Sequence, residues 1–371
     1  MSKHTPLTHP KVALGMSGGV DSSLAAHLLV EQGYDVTGVY LECWRAPGCR
    51  TEEDRKDALA VALQLQIPFQ VLDFKKAYKE KVVGYFFAEY EKGLTPNPDV
   101  MCNKEIKFGL FYDWAMANGF DYVATGHYAQ IGKKDNHSTL LTSKDSHKDQ
   151  TYFLHRLQQE QLEHILFPIG HLTKKEVRAE AKLRYIPVAD KKDSVGICFI
   201  GDINVHEFLK ERLGENPGEV VDTKGHVIGE HNGLWFYTVG QRHGFTVFPK
   251  TFIEESDGTI IDKHNIPPFY VISKDAAENQ LVVGFGAETY KSGFSVKDLH
   301  WIGEKTKNVK VRIRHTGQLH DAFIDESDPK HTQIRLAEAI QGIAQGQSAA
   351  FYVPSQDFKN QCICIGGGII A

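Results

Sequence analysis

Three groups of residues in this chain combine side chains that can do chemistry. Residues 17–22 read SGGVDS, Asp99 precedes Cys102 by three positions, and Cys198 lies in a glycine-containing segment. Two adjacent glycines let main-chain N–H groups surround phosphate oxygens at the start of a helix. A carboxylate near a thiol can move a proton, and a second thiol can exchange sulfur. The sequence therefore predicts nucleotide binding coupled to thiol chemistry.

The elements around residues 17–22 suit a phosphate-binding loop. An apolar run, Val12–Met16, precedes the loop, and a helical pattern from Asp21 to Gly33 follows it. This order predicts a strand, a glycine turn and a helix. The loop lacks the lysine of GxxxxGK[ST] and the third glycine of GxGxxG. It resembles the PP-loop of ATP pyrophosphatases, which split ATP into AMP and pyrophosphate. The alternative is a glycine turn that binds nothing.

Asp99 and Cys102 lie in a proline-containing turn, Thr95–Asn103. We expect a helix to begin near residue 103 or 104, which would place Cys102 at its N-terminus. The helix dipole, with Lys104 and Lys107 nearby, would then favour the thiolate. The alternative is a buried cysteine beside a helix start.

The remaining cysteines differ in what their surroundings suggest. Cys198 lies between two predicted helices, where a thiol can be reached. Cys362 and Cys364 alternate along a predicted strand, which favours core packing. Cys43 and Cys49 lie in a turn-like segment and have no partner pair at zinc spacing. We therefore predict no metal site in the protein and assign no role to Cys43 or Cys49.

The hydrophobic pattern predicts three domains. Short apolar runs alternate with helical patterns over residues 1–205, which is typical of a doubly wound parallel sheet with ligands beyond the carboxyl ends of its strands. Residues 206–278 are predicted to form a small β-rich central domain. Residues 279–371, with strand-like runs at short spacing, are predicted to form a C-terminal β-barrel. A capping box at Thr173 predicts a helix to about Arg184.

Composition narrows the function classes. The 371 residues carry a formal net charge of −5, so the total does not indicate a nucleic-acid binder. Nine basic residues nevertheless cluster between positions 148 and 192: Lys148, Arg156, Lys174, Lys175, Arg178, Lys182, Arg184, Lys191 and Lys192. The N-terminal residues lead into no signal-peptide core, and no apolar run approaches the roughly 20 residues of a membrane span. We expect a cytoplasmic protein without membrane contact.

Six motifs, in order along almost the whole chain, resemble the tRNA-specific 2-thiouridylase (MnmA, TrmU) family of the PP-loop ATP pyrophosphatase superfamily. They are GMSGGVDSS at 15–23, NPDVMCN at 97–103, ATGHYA at 124–129, KDQTYFL at 148–154, DSVGICFIG at 193–201 and YTVGQRHG at 237–244. The resemblance implies an adenine nucleotide alpha hydrolase-like PP-loop domain, a small central domain and a C-terminal β-barrel, in agreement with the hydrophobic pattern.

The resemblance also implies residue roles. ATP would be bound by Gly15, Met16, Ser17, Gly18, Gly19, Val20, Asp21, Ser22, Leu41 and Gly126. The target base or the rest of the tRNA would be contacted by Asn97, Pro98, Asp99, His127, Lys148, Asp149, Gln150, Arg312, Ile313 and Gln347. Asp99 would be the general acid or base, Cys102 the nucleophile and Cys198 the persulfide carrier that forms a transient disulfide with Cys102.

These roles imply an ATP-dependent 2-thiolation of the wobble uridine in the tRNA anticodon loop by a monomeric enzyme. Sulfur would come from a donor protein, either a cysteine desulfurase or a sulfur-relay protein, and either a bound persulfide or freed hydrosulfide would attack the base. Asp21 would repel phosphate unless it binds Mg²⁺ or orients the loop, so we expect transient Mg²⁺ dependence. Leu41 stands where the family usually has Met.

Two other functions fit part of the sequence. An amide-forming PP-loop synthetase would use residues 17–22 but leave Asp99, Cys102 and Cys198 without a task. A non-catalytic adenylate or RNA-binding module would use none of the thiols. Pyrophosphate release that requires unmodified tRNA separates the three functions, because a synthetase would ignore tRNA and a binding module would release nothing.

Overall fold

The computed structural model describes residues 9–45, 51–135, 137–193, 204–248, 252–254, 260–262, 267–327 and 332–371. Cys49, Cys198 and most of the motif at 193–201 lie outside the described residues.

The first domain is built on a parallel sheet with the strand order β3-β2-β1-β4-β7. In β1, Val12, Ala13 and Leu14 are all fully buried, as expected for a parallel strand covered on both faces. Val12 and Leu14 pack with helices on one face, and Ala13 packs on the other. The strands of this half of the chain are β1 Lys11–Gly15, β2 Asp35–Glu42, β3 Phe69–Asp73, β4 Tyr122–Thr125, β5 Ala129–Lys134, β6 His137–Thr142 and β7 Ile165–Leu166.

Helices cover both faces of the sheet. The α-helices are α1 Val20–Glu31, α2 Thr51–Leu65, α3 Lys75–Tyr78, α4 Gly84–Glu91, α5 Pro98–Met101, α6 Phe111–Ala117, α7 Gln159–Leu162, α8 Lys174–Leu183 and α9 Val205–Leu213. The π-helical segment Lys79–Val83 joins α3 to α4, and Cys102–Leu110 joins α5 to α6. Thr173 and Glu176 form the predicted capping box at the start of α8.

The central domain is a five-stranded sheet in the order β10-β9-β8-β14-β13. Its strands, with the separate hairpin β11–β12, are β8 Gly218–Val221, β9 Val227–His231, β10 Thr246–Val247, β11 Phe252–Glu254, β12 Ile260–Asp262, β13 Tyr270–Asp275 and β14 Gln280–Gly284. We expected the barrel to begin at residue 279. Strand β14 instead pairs with β8 and β13, so residues 280–284 belong to the central sheet.

The C-terminal domain is a closed six-stranded barrel, in which β15 pairs with both β18 and β20. Its strands are β15 Tyr290–Trp301, β16 Asn308–Arg312, β17 His320–Asp325, β18 Thr332–Gln341, β19 Ser348–Pro354 and β20 Cys362–Ile370. The hairpin β5–β6 of the first domain joins this sheet through β20. Cys364 is fully buried in the apolar core, as the alternation with Cys362 predicted.

None of the helices in the described parts of the chain is long and apolar enough to cross a membrane.

Candidate active site

The glycine loop folds onto the first turn of its own helix. Gly19 is the N-cap of α1, and its carbonyl accepts hydrogen bonds from the Ser22 hydroxyl at 3.2 Å and the Ser23 hydroxyl at 2.8 Å. The Ser17 N–H donates to the Ser22 Oγ at 3.2 Å. Because the first N–H groups of a helix have no partner within it, this geometry suits an anion at residues 17–22.

Two glycines allow other segments to approach the loop closely. A Cβ built on Gly126, just after β4, would lie 2.6 Å from the Ser22 nitrogen. Gly18 has φ +76°, and a Cβ there would lie 2.1 Å from the Asp54 carbonyl oxygen at the start of α2. The main chain beyond β4 and the first turn of α2 therefore form walls beside the loop, and only glycine fits these two positions.

Asp21 is held by two donors from outside the loop. The Lys174 ammonium lies 2.8 and 2.9 Å from the two Asp21 carboxylate oxygens, and the Tyr128 hydroxyl donates to Oδ1 at 2.8 Å. Burial and the Asp21 charge raise the pKa of Tyr128, so its hydroxyl remains a donor. Of the two roles considered for Asp21, this arrangement fits orientation of the loop. It does not fit direct Mg²⁺ binding, because a lysine ammonium occupies the carboxylate.

A second lysine closes the other side of the loop. Lys191 Nζ donates to the Gly18 carbonyl at 3.0 Å and to the carboxylates of Asp54 at 2.9 Å and Asp57 at 2.5 Å. Arg45 also pairs with Asp54 at 2.7 Å. Burial alone would lower the pKa of Lys191, but the two carboxylates raise it, so the ammonium stays charged. Cations of α8 and the following segment thus hold the glycine loop in place.

Leu41 lies near the carboxyl end of β2, two residues beyond the last residue of β2 that pairs with β1. The Val39 carbonyl accepts a hydrogen bond from the Met16 N–H at 2.8 Å, so Val39 faces β1. Strand residues alternate in the direction of their N–H and C=O groups, and Leu41 therefore faces the same side, past the end of β1. Its carbonyl accepts from the Cys43 N–H at 3.0 Å. The end of β2 at Leu41 therefore lies beside the glycine loop.

The helix that carries Cys102 begins earlier than we expected. Asn97 is the N-cap, its side-chain oxygen accepting from the Val100 N–H at 3.2 Å, and Pro98 is the first helical residue. The expected start at residue 103 or 104 was wrong because proline favours the first position of a helix. Asp99, and not Cys102, therefore occupies the first turn, where the helix dipole stabilises a carboxylate.

Asp99 and Cys102 are nonetheless placed together. Residues three apart lie on the same face of a helix, and Cys102 is 3% exposed. Of the two lysines expected to act on its thiol, Lys104 pairs with Glu105 at 3.0 Å, and Lys107 Nζ lies 3.5 Å from His127 Nε2. A carboxylate and a buried thiol therefore share one face of this helix.

Cys102 belongs to an apolar cluster at the carboxyl ends of β2 and β3. Cys43 and Trp44, just after β2, and Phe74, just after β3, pack in this cluster with Cys102. Phe208 of α9 packs there as well, with its ring centroid 5.2 Å from that of Phe87. Helix α9, which follows the segment with Cys198 in the sequence, thus contributes Phe208 to the Cys102 cluster.

Described residues on both sides of the segment that carries Cys198 contact the site. Before it, Asp193 accepts from Arg178 at 2.6 Å, Lys174 at 2.8 Å and Lys148 at 3.2 Å. Burial alone would raise the pKa of Asp193, but these cations lower it. After it, Phe208 lies in the Cys102 cluster. Because Lys174 also binds Asp21, Asp193 is joined to the glycine loop, whereas Phe208 packs with Cys102.

The turn before Asp99 is held by the barrel. The Gln347 side-chain amide donates to the carbonyls of Thr95 at 3.1 Å and Pro96 at 3.2 Å, and its oxygen accepts from the Asn97 amide at 3.4 Å. The Thr95 N–H also donates to the Gln345 carbonyl at 2.8 Å. In this structure Gln347 therefore positions the turn that contains the residues predicted to meet the base.

Asp149 and Arg312 form a buried ion pair between the first domain and the barrel. Their closest atoms are 2.6 Å apart, and the side chains are only 1% and 9% exposed. Asp149 also accepts from the Ser143 N–H and the Thr151 hydroxyl. We expected both residues to touch tRNA, but neither charged group reaches the surface here, and their observed contacts join two domains. Ile313 is likewise buried, and its carbonyl accepts from Tyr152.

Other predicted tRNA or base contacts also have internal partners. His127 is buried, its Nδ1 lies 2.7 Å from the Thr125 hydroxyl, and burial with the Lys107 charge holds its pKa well below the ordinary value. The Gln150 side chain accepts from the Tyr128 N–H at 2.9 Å. Most of the basic cluster at 148–192 is similarly engaged, with ion pairs at Lys148, Lys174, Arg178, Lys182, Arg184 and Lys191.

Sequence reasoning missed several residues of the site. Tyr128 lies inside the motif at 124–129, but only its neighbours were given roles. Lys174 was counted as one of many basic residues, although its place at the first position of α8 was a usable signal. The contact between Gln345 and Thr95 links residues too far apart in sequence to be predicted from one chain.

Comparison with known proteins agrees with this organisation. The chain matches three consecutive family models: the tRNA methyl transferase HUP domain at 10–202, the tRNA methyl transferase PRC-barrel domain at 206–285 and the aminomethyltransferase beta-barrel domain at 291–370. Among solved structures it is similar to U34-tRNA thiolase NcsA from Methanococcus maripaludis, with 14% identity, a TM-score of 0.34 and coverage of 57% of this chain and 69% of that one. That likeness is too distant to bear on function.

Curated relatives are much closer. The chain is 43% identical to the tRNA-specific 2-thiouridylase MnmA of Listeria monocytogenes serovar 1/2a, over 97% of this chain and 94% of the relative. It is 41% identical to MnmA of Oceanobacillus iheyensis, over 97% and 94% of the two chains. For MnmA of Staphylococcus epidermidis the identity is 40%, over 97% and 95%. The chain therefore belongs to the tRNA-specific 2-thiouridylase family.

Proposed function

We propose that this enzyme is a tRNA-uridine 2-sulfurtransferase, which adenylates the wobble uridine with ATP and then replaces its 2-oxygen with persulfide sulfur. One observation carries the proposal. The glycine loop follows β1, and the Cys102 cluster lies at the ends of β2 and β3, so a nucleotide-binding loop and a thiol share the carboxyl edge of one parallel sheet. Ligands of such sheets bind at that edge.

The first step activates a poor leaving group. The uridine 2-oxygen attacks the α-phosphorus of ATP, the bond from that phosphorus to the β-phosphate oxygen breaks, and pyrophosphate leaves. Asp99 is placed to accept the proton that the base loses. Main-chain N–H groups of residues 17–22 would stabilise the phosphate charge as it develops, and preorganised donors of this kind supply much of an enzyme's rate enhancement. Mg²⁺ would arrive with ATP.

The second step transfers sulfur. The terminal sulfur of a Cys198 persulfide bonds to C2 of the base, and AMP leaves with the former 2-oxygen. The Cys102 thiolate attacks the Cys198 sulfur, and the electrons of the persulfide bond pass to the transferred sulfur. If Cys102 attacks first, the same bonds change but hydrosulfide is the nucleophile at C2. Both orders end in a Cys102–Cys198 disulfide, which an external thiol must reduce.

The described residues that flank the Cys198 segment support this pairing. Asp193 precedes it and is tied to Lys174, which also holds the loop residue Asp21. Phe208 follows it and packs in the Cys102 cluster. The described residues before and after Cys198 thus contact the glycine loop and the Cys102 cluster, and we propose that Cys198 is the sulfur carrier. We propose that a persulfide-bearing donor protein, a cysteine desulfurase or a relay protein, charges Cys198 in the cytoplasm.

The anticodon loop of the tRNA presents the wobble uridine to the site in this proposal. A wobble uridine is unpaired there, so its base can turn into a pocket at small cost. Asn97 and Pro98 begin the helix that carries Asp99 and Cys102, and we propose that this turn receives the base. We propose that the enzyme acts as a monomer.

Two cysteine variants test the mechanism. The purified enzyme is given unmodified tRNA, ATP and a persulfide donor, and both pyrophosphate and 2-thiouridine are measured. Cys198→Ser should still release pyrophosphate in a tRNA-dependent manner, while 2-thiouridine formation falls more than about a thousandfold. Cys362→Ser, a change outside the site, should retain both. Full thiolation by Cys198→Ser would overturn the proposed sulfur transfer.

A further inference from the structure

One short loop of the barrel touches both other domains. Residues 342–347 connect β18 to β19. At one end of the loop, Gln345 and Gln347 hold the turn at Thr95. At the other end, a Cβ built on Gly240 of the central domain would lie 3.2 Å from the Gly342 Cα. Since an extended residue spans at most about 3.6 Å, the two contacts are within roughly 20 Å of each other.

The central-domain turn at this contact, residues 237–244, is tightly braced. The Tyr237 hydroxyl donates to the Gly244 carbonyl at 2.8 Å. The Gln241 side chain accepts from the Thr238 N–H at 3.0 Å and donates to the His243 carbonyl at 2.7 Å. Main-chain bonds also join Gly240 and Gln241 to Val271 of β13. The turn is thus a rigid support for the side chains it carries.

The side chains carried there are basic and exposed. Arg242 and His243 are exposed on the turn, and Arg314 is exposed on the barrel. Arg314 Nη1 lies 3.5 Å from a Cβ built on Gly342, so it borders the same contact. Beneath the turn, Lys274 Nζ donates to the Tyr237 carbonyl at 2.9 Å. Positive groups from two domains therefore meet near the turn at residues 95–97, although the chain is acidic overall.

We propose that Arg242 and Arg314 bind backbone phosphates of the tRNA beside the nucleotide held at residues 97–99, with the loop 342–347 setting the spacing. This inference rests on the proposed function. Guanidinium groups pair with phosphate through two parallel hydrogen bonds, and such contacts fix the register of a nucleic acid on a protein. A braced turn loses little conformational entropy on binding, so its contacts contribute more affinity.

The test is the salt dependence of binding to a full-length unmodified tRNA transcript. Arg242→Gln and Arg314→Gln should each weaken binding and reduce the slope of log affinity against log salt by about 0.7 to 1. Arg242→Lys should restore the slope because it keeps the charge. The KM for the transcript in thiolation should rise in both glutamine variants, because each loses a contact to the substrate.

Arg335→Gln is the matched control, since Arg335 is exposed on β18 and pairs with Asp325. It should leave both affinity and slope unchanged. Wild-type affinity and slope in Arg242→Gln and Arg314→Gln, with intact thermal stability, would overturn the inference alone. A wild-type enzyme that neither binds nor thiolates the transcript would instead overturn the proposed function.

Discussion

At the scale of single residues, several side chains predicted to bind a ligand instead hold neighbouring elements together in the described structure. Asp21 and Asp149 lie in motifs, Gln347 lies in the barrel loop 342–347, and the polar atoms of each bond to neighbouring elements. A motif residue can thus be essential for a reaction through position alone. The distinction can be measured, because a positioning residue affects stability as well as activity.

Arg312 provides the clearest case. Arg312→Met leaves Asp149 buried without its cation, and losing one partner of a buried pair costs about 3–5 kcal/mol. We expect a lower unfolding temperature together with weaker tRNA binding. The double variant Arg312→Met/Asp149→Asn should recover part of the stability. If Arg312→Met weakened tRNA binding at an unchanged unfolding temperature, direct contact with tRNA would be the better explanation.

His155 should make the protein sensitive to acid. It is fully buried, its Nδ1 lies 2.8 Å from the Tyr152 carbonyl, and burial lowers its pKa to about 3. The unfolded chain takes up a proton near pH 6.5, whereas the folded chain does not until about pH 3. Stability is therefore present above pH 6.5 and falls by about 1.4 kcal/mol per pH unit below it.

The variant His155→Asn can keep a donor to the Tyr152 carbonyl but cannot titrate. Its unfolding temperature should fall less than that of wild type between pH 7 and pH 5.5, as measured by thermal denaturation. Equal decreases in the two proteins would show that His155 does not contribute to acid sensitivity.

At the scale of elements, the site depends on how helices begin and on where loops touch. The helix at residues 98–117 starts at Pro98, which we expected to lie inside a turn that continues to residue 103. As a result, Asp99 takes the helix N-terminus that we assigned to Cys102. The loop at 342–347 then fixes that helix start from a different domain.

Gly346→Ala tests this loop. Gly346 has φ +89°, and a Cβ there would lie 2.9 Å from the Thr95 nitrogen. We expect the turn before Asp99 to shift and thiolation to fall about a hundredfold, as small misplacements in a site can do, while ATP binding is unchanged. Gly225→Ala is the control, since Gly225 has φ +86° with no atom within 4 Å of its Cβ position. Equal losses in both variants would mean that backbone strain alone is responsible.

At the scale of the whole molecule, local patterns were predictable and long-range pairings were not. The strand, loop and helix around residues 17–22 follow from adjacent residues. The pairing of β6 with β20 went unpredicted because the two strands lie more than two hundred positions apart. The central domain likewise ends with β14, whose partner β8 lies far earlier in the chain. Such pairings depend on tertiary packing, which no local window contains.

The arrangement of domains explains how one chain can combine ATP chemistry with a large substrate. The first domain supplies the glycine loop and Cys102, and the barrel holds the turn before Asp99. The central domain reaches the same barrel loop through Gly240. A substrate that spans these surfaces is held at several points, so its reactive base can be placed precisely.

We propose that the uridine 2-oxygen is adenylated before sulfur enters. A tRNA transcript labelled with ¹⁸O at the 2-position of its wobble uridine tests this directly, with mass spectrometry of the AMP, pyrophosphate and tRNA after one turnover. Adenylation predicts that the label appears in the phosphate of AMP, in an amount equal to the 2-thiouridine formed. Unlabelled AMP alongside full thiolation would contradict the account.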